Sequence, residues 1–546
     1  MTHPTDLSTR DAQRTGPALG RALGPCLDRR RLIGGAAAGA ALALLPGRAD
    51  AQAAAPALPA SGSPFSDATV PDLARALGNR AFVAPTANDM PDPLKNLSRE
   101  AYEAIRLRPE ALLWGGEPHG FAVEPLLRGF YYTDRVALFL VEDGVVRPVT
   151  YARGEYEAGS EAGAAALPET EPGFSGLRIR ARFGERHQDF ALFQGACFYR
   201  LVGQGQEFGV NGRALMLRPA DPRGEEFPRW RALFVERPKT PDGPLVIHAL
   251  IDSDSLAAAL RLELRPGETS TATVTATLVT RKAVEHLGLG GMQAPFLFGP
   301  HDRRGADDAR AAVYAAGGLQ IRNGGGEAIW RPVRNPETLQ ISGFLDNGPQ
   351  GFGLIQRDRS AATFEDDTHP WQRCPSLWVE PGESTGADNL WGEGAVTLLE
   401  IPSDAEINEN VIAYWRPKAA LPAGQEIRVG YRQNWGGEPP VGPLARVTGT
   451  RSGRGGANPR RLFLVDFTGD LLFTPAGTMV PVETVLIAGP GRIVEGATRW
   501  IAHPETRTVR VAFELDPGSE RAVELRLALK TEGRQITETW LYRWTP

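Results

Sequence analysis

Residues 269–278 alternate without a break: Thr269, Thr271, Thr273, Thr275 and Thr277 interleave with Ala272, Val274, Ala276 and Leu278. A β-strand sends successive side chains to opposite faces, so this run lines one face with hydroxyls and the other with apolar groups. A helical period sorts these residues onto no single face. Shorter runs of the same period recur at 259–265, 396–401, 462–467, 509–515 and 522–529. The chain also carries 62 Gly and 45 Pro, many of them between such runs. Many short strands joined by Gly/Pro turns specify an all-β protein built of antiparallel sandwiches, not alternating βαβ units. Helical spacing is confined to 67–78, through Val70, Leu73, Ala74 and Leu77, and to 98–106. In the second, Ser98 suits an N-cap and Ala101, Tyr102 and Ile105 share a face. Both are expected to pack against a sheet edge.

The N-terminus reads as an export signal. Asp28-Arg29-Arg30-Arg31-Leu32-Ile33 sets paired arginines ahead of an uncharged apolar stretch over 33–45, and Ala49-Asp50-Ala51 offers small residues for cleavage. That stretch is shorter than the ~20 residues a membrane-spanning helix needs, and a twin-arginine signal is an address, not an anchor. Residues 1–51 are therefore expected to be a signal peptide, with a soluble periplasmic chain beginning at Gln52. The full chain has a formal net charge of −5, and residues 1–51 hold seven arginines and four aspartates, so the exported part is more acidic still. This balance argues against a nucleic-acid partner. Cys197 and Cys374, the two thiols after residue 51, are expected to be buried and unpaired. A chain this long exceeds what one core accommodates. The polar, turn-rich stretch from Pro402 to Asn410, followed by Pro417, Pro422 and Gly424, suggests a linker at 403–424. It would separate a large domain at 62–402 from one at 425–546, the size of an immunoglobulin-like sandwich.

Several catalytic signatures are absent. Gly203, Gly205 and Gly209 have the wrong spacing for a dinucleotide fingerprint, and no His-Glu-x-x-His or Gly-x-Ser-x-Gly occurs. No metal or cofactor is expected. What remains is carboxylates interleaved with aromatics, which suits carbohydrate: ring faces stack on Trp and Tyr, while hydroxyls take paired hydrogen bonds from Asp, Glu, Asn and Arg. Phe364-Glu365-Asp366-Asp367, followed by His369, Trp371, Trp378 and Trp391, is the densest such segment, and Gly224 through Arg231 is the second.

Taken in order, Ala111-Leu112-Leu113-Trp114, Cys197-Phe198-Tyr199-Arg200, Gly224 through Arg231, Phe296-Leu297-Phe298-Gly299-Pro300, Ile329-Trp330-Arg331-Pro332, Phe364-Glu365-Asp366 and Glu538-Thr539-Trp540 resemble the periplasmic osmoregulated glucan biosynthesis proteins G and D. The resemblance spans about Phe65 to Trp544, and the twin-arginine signal favours the D type. It implies a large galactose-mutarotase-like β-sandwich joined to an immunoglobulin-like one, acting on glucans with a β-1,2-linked glucose backbone. Some members are similar to inverting glycoside hydrolases, in which the Asp matching Asp366 is the general acid. On this reading the protein cleaves or transglycosylates β-1,2-glucan. Tyr132, Trp330, Trp378 and Trp391 are expected to stack on sugar rings, and Glu226, Arg229 and Arg231 to hold hydroxyls.

One position departs from that pattern. Hydrolytic relatives carry an Asp after the arginine matching Arg281, to relay a proton, whereas this chain has Lys282. A lysine at its ordinary pKa of ~10.4 is protonated and cannot serve as a base. Glu285, His286 or Asp302 could replace it, a sugar hydroxyl could be the nucleophile, or the protein could bind glucan without cleaving it, as an accessory to an inner-membrane glucan synthase.

Overall fold

The computed structural model describes residues 56–546, apart from 160–166, 304, 386–388 and 440–441. The expected signal sequence lies outside the described residues. The strand prediction at 269–278 is realised as Ser270–Thr280, where Ala272, Val274, Ala276 and Leu278 are buried and the threonines between them face outward. The protein is all-β, with short helices on its periphery.

Two large sheets pack face to face. The ten-stranded sheet runs from Phe121–Leu127 through Phe174–Phe183, Arg186–Gln194, Phe198–Leu201, Asn211–Arg213, Leu287–Ala294, Val411–Pro417 and Glu393–Glu400 to Gln340–Asn347. The fifteen-stranded sheet runs from Val145–Pro148 by way of Leu256–Arg265, Ser270–Thr280, Glu426–Gly436 and Ser376–Thr385 to Ala328–Pro332. Between them Tyr199 lies 6.1 Å from Trp435, and Phe193 lies 6.1 Å from Trp230. The Tyr199 hydroxyl donates to Gln433 Oε1 at 2.7 Å, so the phenol buried between the sheets keeps a partner.

The fifteen-stranded sheet does not stop at the sandwich. Ala328–Pro332 pairs in parallel with Thr539–Trp544, and through it with Val523–Thr531 and Glu483–Gly489. A five-stranded sheet, centred on Arg461–Thr468 and Thr508–Asp516, packs on this extension around Phe463, Phe513, Trp540 and Tyr542.

The linker expected over 403–424 is corrected by these pairings. Val411–Pro417 is an interior strand of the ten-stranded sheet, and Glu426–Gly436 lies between Ser270–Thr280 and Ser376–Thr385 in the other. The polar run after Pro402 is a loop joining two adjacent strands, and Pro422 and Gly424 turn the chain from one sheet to the other. Turn residues mark changes of direction, which occur inside a sandwich as often as between domains. After Gly436 the chain leaves the larger sheet for strand Arg446–Arg454 of the five-stranded sheet.

Helix Thr69–Gly78 buries Val70, Ala74 and Leu77 on the outer face of the larger sheet, against Phe234, Leu250 and Ala257, and not on an edge. The second predicted helix is confined to Arg99–Glu103, capped by Ser98 Oγ accepting from Ala101 N at 3.1 Å. It ends early because Ile105–Leu107 pairs with Tyr156–Ala158 as a strand. Cys197 and Cys374 are both buried and free. Among the described residues no helix is long and apolar enough to cross a membrane.

Arg357 ties the sandwich to the C-terminal strands. Its guanidinium sits 3.6 Å over the Trp330 ring and donates to both Glu538 oxygens, at 2.9 and 2.8 Å, and to Val447 O at 2.6 Å. Glu538 is completely buried. Glu538→Ala should therefore lower stability by about 1.5–3 kcal/mol, because it removes charge-assisted hydrogen bonds while Glu438, 2.6 Å from Arg357 Nε, still pairs with the cation. Urea unfolding checks this, and a change below 1 kcal/mol would show that the seam does not rest on this pair.

Candidate functional site

A cleft of about 820 Å³ opens on the outer face of the ten-stranded sheet, within the size range of small-molecule sites. Register explains its chemistry. Leu177, Ile179, Phe193 and Tyr199 point into the core, so their neighbours in sequence point out. Glu124, Arg178, Leu192 and Arg200 stand opposite one another on successive strands. Arg200 Nε donates to Oδ1 of Asn211, which stands opposite Gln293, so the six form one row across the sheet. Five inter-strand spacings make that row about 24 Å long.

Glu409, in the loop after Pro402, closes one end: it accepts from Arg200 Nη2 at 3.0 Å, and from Asn211 Nδ2 and Gln293 Nε2. At the other end Arg106 forks onto Glu124, with Nε at 2.8 Å and Nη2 at 3.0 Å. Burial alone pushes the Glu124 pKa up, yet Arg106 and Arg178 hold it below the usual carboxylate range. An aromatic wall stands beside the row. Phe130 and Tyr131 have centroids 4.1 Å apart, and Tyr102 lies 5.5 Å from Tyr132. Tyr131 is 80% exposed and presents a free ring. Phe198, Phe208 and Ile407 line the cleft as well. Apolar plates beside a row of fixed donors and acceptors can hold a polyhydroxylated chain.

Asp366 does not line this cleft. After the short helix Ala361–Phe364, Glu365 adopts a left-handed conformation (φ 49°), and the chain turns so that Asp366 caps its own loop. Its Oδ1 accepts from Thr368 N at 2.8 Å and His369 N at 2.9 Å; its Oδ2 accepts from Trp371 Nε1 at 2.8 Å and Arg310 Nη1 at 3.0 Å. The side chain is 2% exposed. Burial alone would raise its pKa, but these four donors outweigh it and hold the carboxyl well below the ordinary range. In this conformation Asp366 is an anion. The same Arg310 Nη1 donates to Glu406 Oε2 at 2.7 Å, and Glu406 is one residue from the cleft residue Ile407. Arg310 thus connects Asp366 to the cleft wall.

The remaining predicted site residues scatter. Tyr132 lines the cleft. Trp330 is covered by Arg357, Trp378 lies flat on Gly351, where a Cβ would sit 2.3 Å from the ring, and the Trp391 indole donates to Gly430 O at 2.9 Å. All three are at most 7% exposed and offer no open face. Glu226 accepts from Ser255 N at 2.7 Å and Oγ at 2.6 Å, Arg229 pairs with Asp134, and Arg231 lies near Asp252. None of these three lines the cleft.

The departure at Lys282 also takes on a different meaning. Lys282 pairs with Asp254 at 2.5 Å on the surface, just past the Thr280 end of strand Ser270–Thr280. Asp366 belongs to the other end, where Ser270 faces Trp435, and Arg359 bonds both Gly436 O and Cys374 O. An eleven-residue strand separates its ends by roughly 33 Å. No side chain at 282 can relay a proton to or from Asp366. Glu285 is exposed beside it, and His286 bonds Tyr414 at 2.9 Å, with burial lowering its pKa to about 4. Asp302 accepts from Asn335 N at 3.1 Å and pairs with Arg334 at 3.4 Å.

A family profile described as "Periplasmic glucan biosynthesis protein, MdoG" matches residues 65–544. The chain belongs to that family. Among curated proteins, glucans biosynthesis protein G of Bradyrhizobium diazoefficiens is 39% identical over 525 residues, 95% of this chain and all of that one. The protein G of Shewanella frigidimarina is 38% identical, covering 88% of this chain and 85% of its own. These relatives carry the G name, so the D-type preference drawn from the twin-arginine motif gains nothing from them. An α-galactosidase of Geobacillus stearothermophilus overlaps 48% of this chain and 38% of its own at 8% identity, with a TM-score of 0.23, too low to bear on the fold.

Within this family member, the residues that build the cleft were mostly not singled out by sequence. Arg200 belongs to the Cys197–Arg200 landmark, and the alternation of Phe198 and Arg200 against inward Tyr199 marks a two-faced strand. Glu409 and Arg310 lie in loops with no local signature. Because the folded pKa of Asp366 is depressed, its stabilising contribution is present above about pH 4 and lost as pH falls below that value. Asp366→Asn should be less stable than the parent at pH 7 and should show a smaller loss of melting temperature between pH 7 and pH 3. Parallel pH profiles for the two would show that these four donors do not hold Asp366 ionised.

Proposed function

We propose that this protein serves in periplasmic glucan biosynthesis by holding a β-1,2-linked glucan along the row from Arg178 to Glu409, with Tyr131 and Tyr132 against its ring faces. The observation that carries this reading is the cleft: an exposed aromatic wall beside a register-fixed line of Arg, Asn and Gln side chains. Export through the paired arginines at 29–31 would bring the chain to the periplasm, where an inner-membrane glucan synthase is the partner that supplies the nascent polymer.

A second reading adds catalysis, and the Arg310 bridge favours it. Arg310 reaches from Asp366 to Glu406 beside the cleft, so a glucan that displaces the 403–410 loop would pull the arginine away. Loss of that charge would raise the pKa of Asp366, and release of the Thr368 and His369 N–H groups and the Trp371 indole as well would let it protonate a glycosidic oxygen. Water as the acceptor gives hydrolysis; a sugar hydroxyl gives transglycosylation.

Calorimetry with linear β-1,2-glucan, alongside product mass and linkage analysis, separates the two readings. Tyr131→Ala should weaken binding with the fold intact, and Arg200→Ala, which removes charge-assisted hydrogen bonds of about 1.5–3 kcal/mol, should weaken it roughly ten- to hundredfold. Undiminished binding by both variants would remove the cleft from the function. Under the catalytic reading, Asp366→Asn abolishes any change in chain length or linkage yet retains glucan affinity; unaltered glucan with the parent protein would leave binding alone.

A further inference from the structure

The edges of the large sheets are guarded, with one exception. Val145–Pro148 is four residues long and carries Arg147 and Pro148. Phe121–Leu127 contains Pro125 and is buried along its whole length. Glu483–Gly489 runs directly into Pro490. Short strands, prolines, basic side chains and burial are the usual ways in which a free edge is kept from pairing with another chain.

Gln340–Asn347 has none of these. It is an eight-residue terminal strand of the ten-stranded sheet, paired without a bulge to Glu393–Glu400, and no other strand among the described residues pairs with it. It holds no Pro, Lys or Arg, and its one charged side chain, Asp346, is turned back to accept from Gly324 N and Asn347 N. Its outer face carries Ile341, 51% exposed, Gly343, whose Cβ position is open, and Leu345, 89% exposed. Leu339, just before it, is 45% exposed.

We infer that this edge pairs antiparallel with the same edge of a second copy of the chain, about a two-fold axis through Gly343. The strand is self-complementary in that register: Ile341 of each copy stands opposite Leu345 of the other, and Gly343 faces Gly343 without obstruction. Antiparallel pairs of this kind bring opposed Cα atoms to about 4.5–5.5 Å, and the interface is isologous, as in most homodimers. The axis runs perpendicular to the sheet at this edge, so the outer faces of the two edge strands lie on one side.

Light scattering after size exclusion, on the purified chain, should give twice the monomer mass, and Leu345→Lys should return the monomer with an unchanged melting temperature. The register has its own test in oxidised samples. Gly343→Cys places two thiols within disulfide reach across the axis, whereas Leu345→Cys leaves them about 14 Å apart along the strands. Cross-linking of the first and not the second is the expected result. A monomeric parent, a dimer indifferent to Leu345→Lys, or cross-linking through residue 345 instead of 343 would overturn the assignment.

Discussion

Register across the ten-stranded sheet is the constraint on which everything else depends. Leu177, Phe193 and Tyr199 must face the fifteen-stranded sheet, because only there do they find apolar partners such as Trp230 and Trp435. That requirement alone turns Arg178, Leu192 and Arg200 outward, into a single row. A slip of one residue would bury Arg178 in place of Leu177, or Arg200 in place of Tyr199. The core therefore aligns the cleft, and the cleft needs no positioning machinery of its own beyond the aromatic wall at Phe130, Tyr131 and Tyr132 and the 403–410 loop.

Asp366 illustrates how far residue identity lies from chemical state. A general acid must hold a proton near working pH, which requires burial without compensating donors. Asp366 has burial, but also two backbone N–H groups, an indole and a guanidinium, and these keep it charged. Arg310 is the one donor shared with the cleft wall. Moving that arginine would remove one of the four donors, and the Thr368 and His369 N–H groups and the Trp371 indole would still hold the carboxylate.

The strand pattern was legible because period two needs only local information. The 269–278 run, the N-cap at Ser98 and the burial of both late cysteines follow from residues close together in the chain. The misplaced linker shows the limit: Pro402, Pro417, Pro422 and Gly424 announce turns, but whether a turn joins two strands of one sheet or two domains depends on partners far away in sequence. The tryptophans at 330, 378 and 391 make the same point. Each is large and amphipathic, equally suited to a sugar platform or a core, and packing on Gly351, Arg357 and Gly430 puts all three inside.

By itself, then, the sequence determined the fold class, through alternation that only sheets accommodate, and the family, through ordered motifs from residue 65 to 544. Tertiary structure decided which of the polar residues meet. Arg200, Asn211, Gln293 and Glu409 are spread over some two hundred positions and converge only because their strands neighbour one another in the sheet, while residues 282 and 366, closer in sequence than Arg200 and Glu409, are held at opposite ends of one strand. Hydrogen-bonded pairing between distant segments carries no local signature, so neither the convergence nor the separation could be read before the chain was folded.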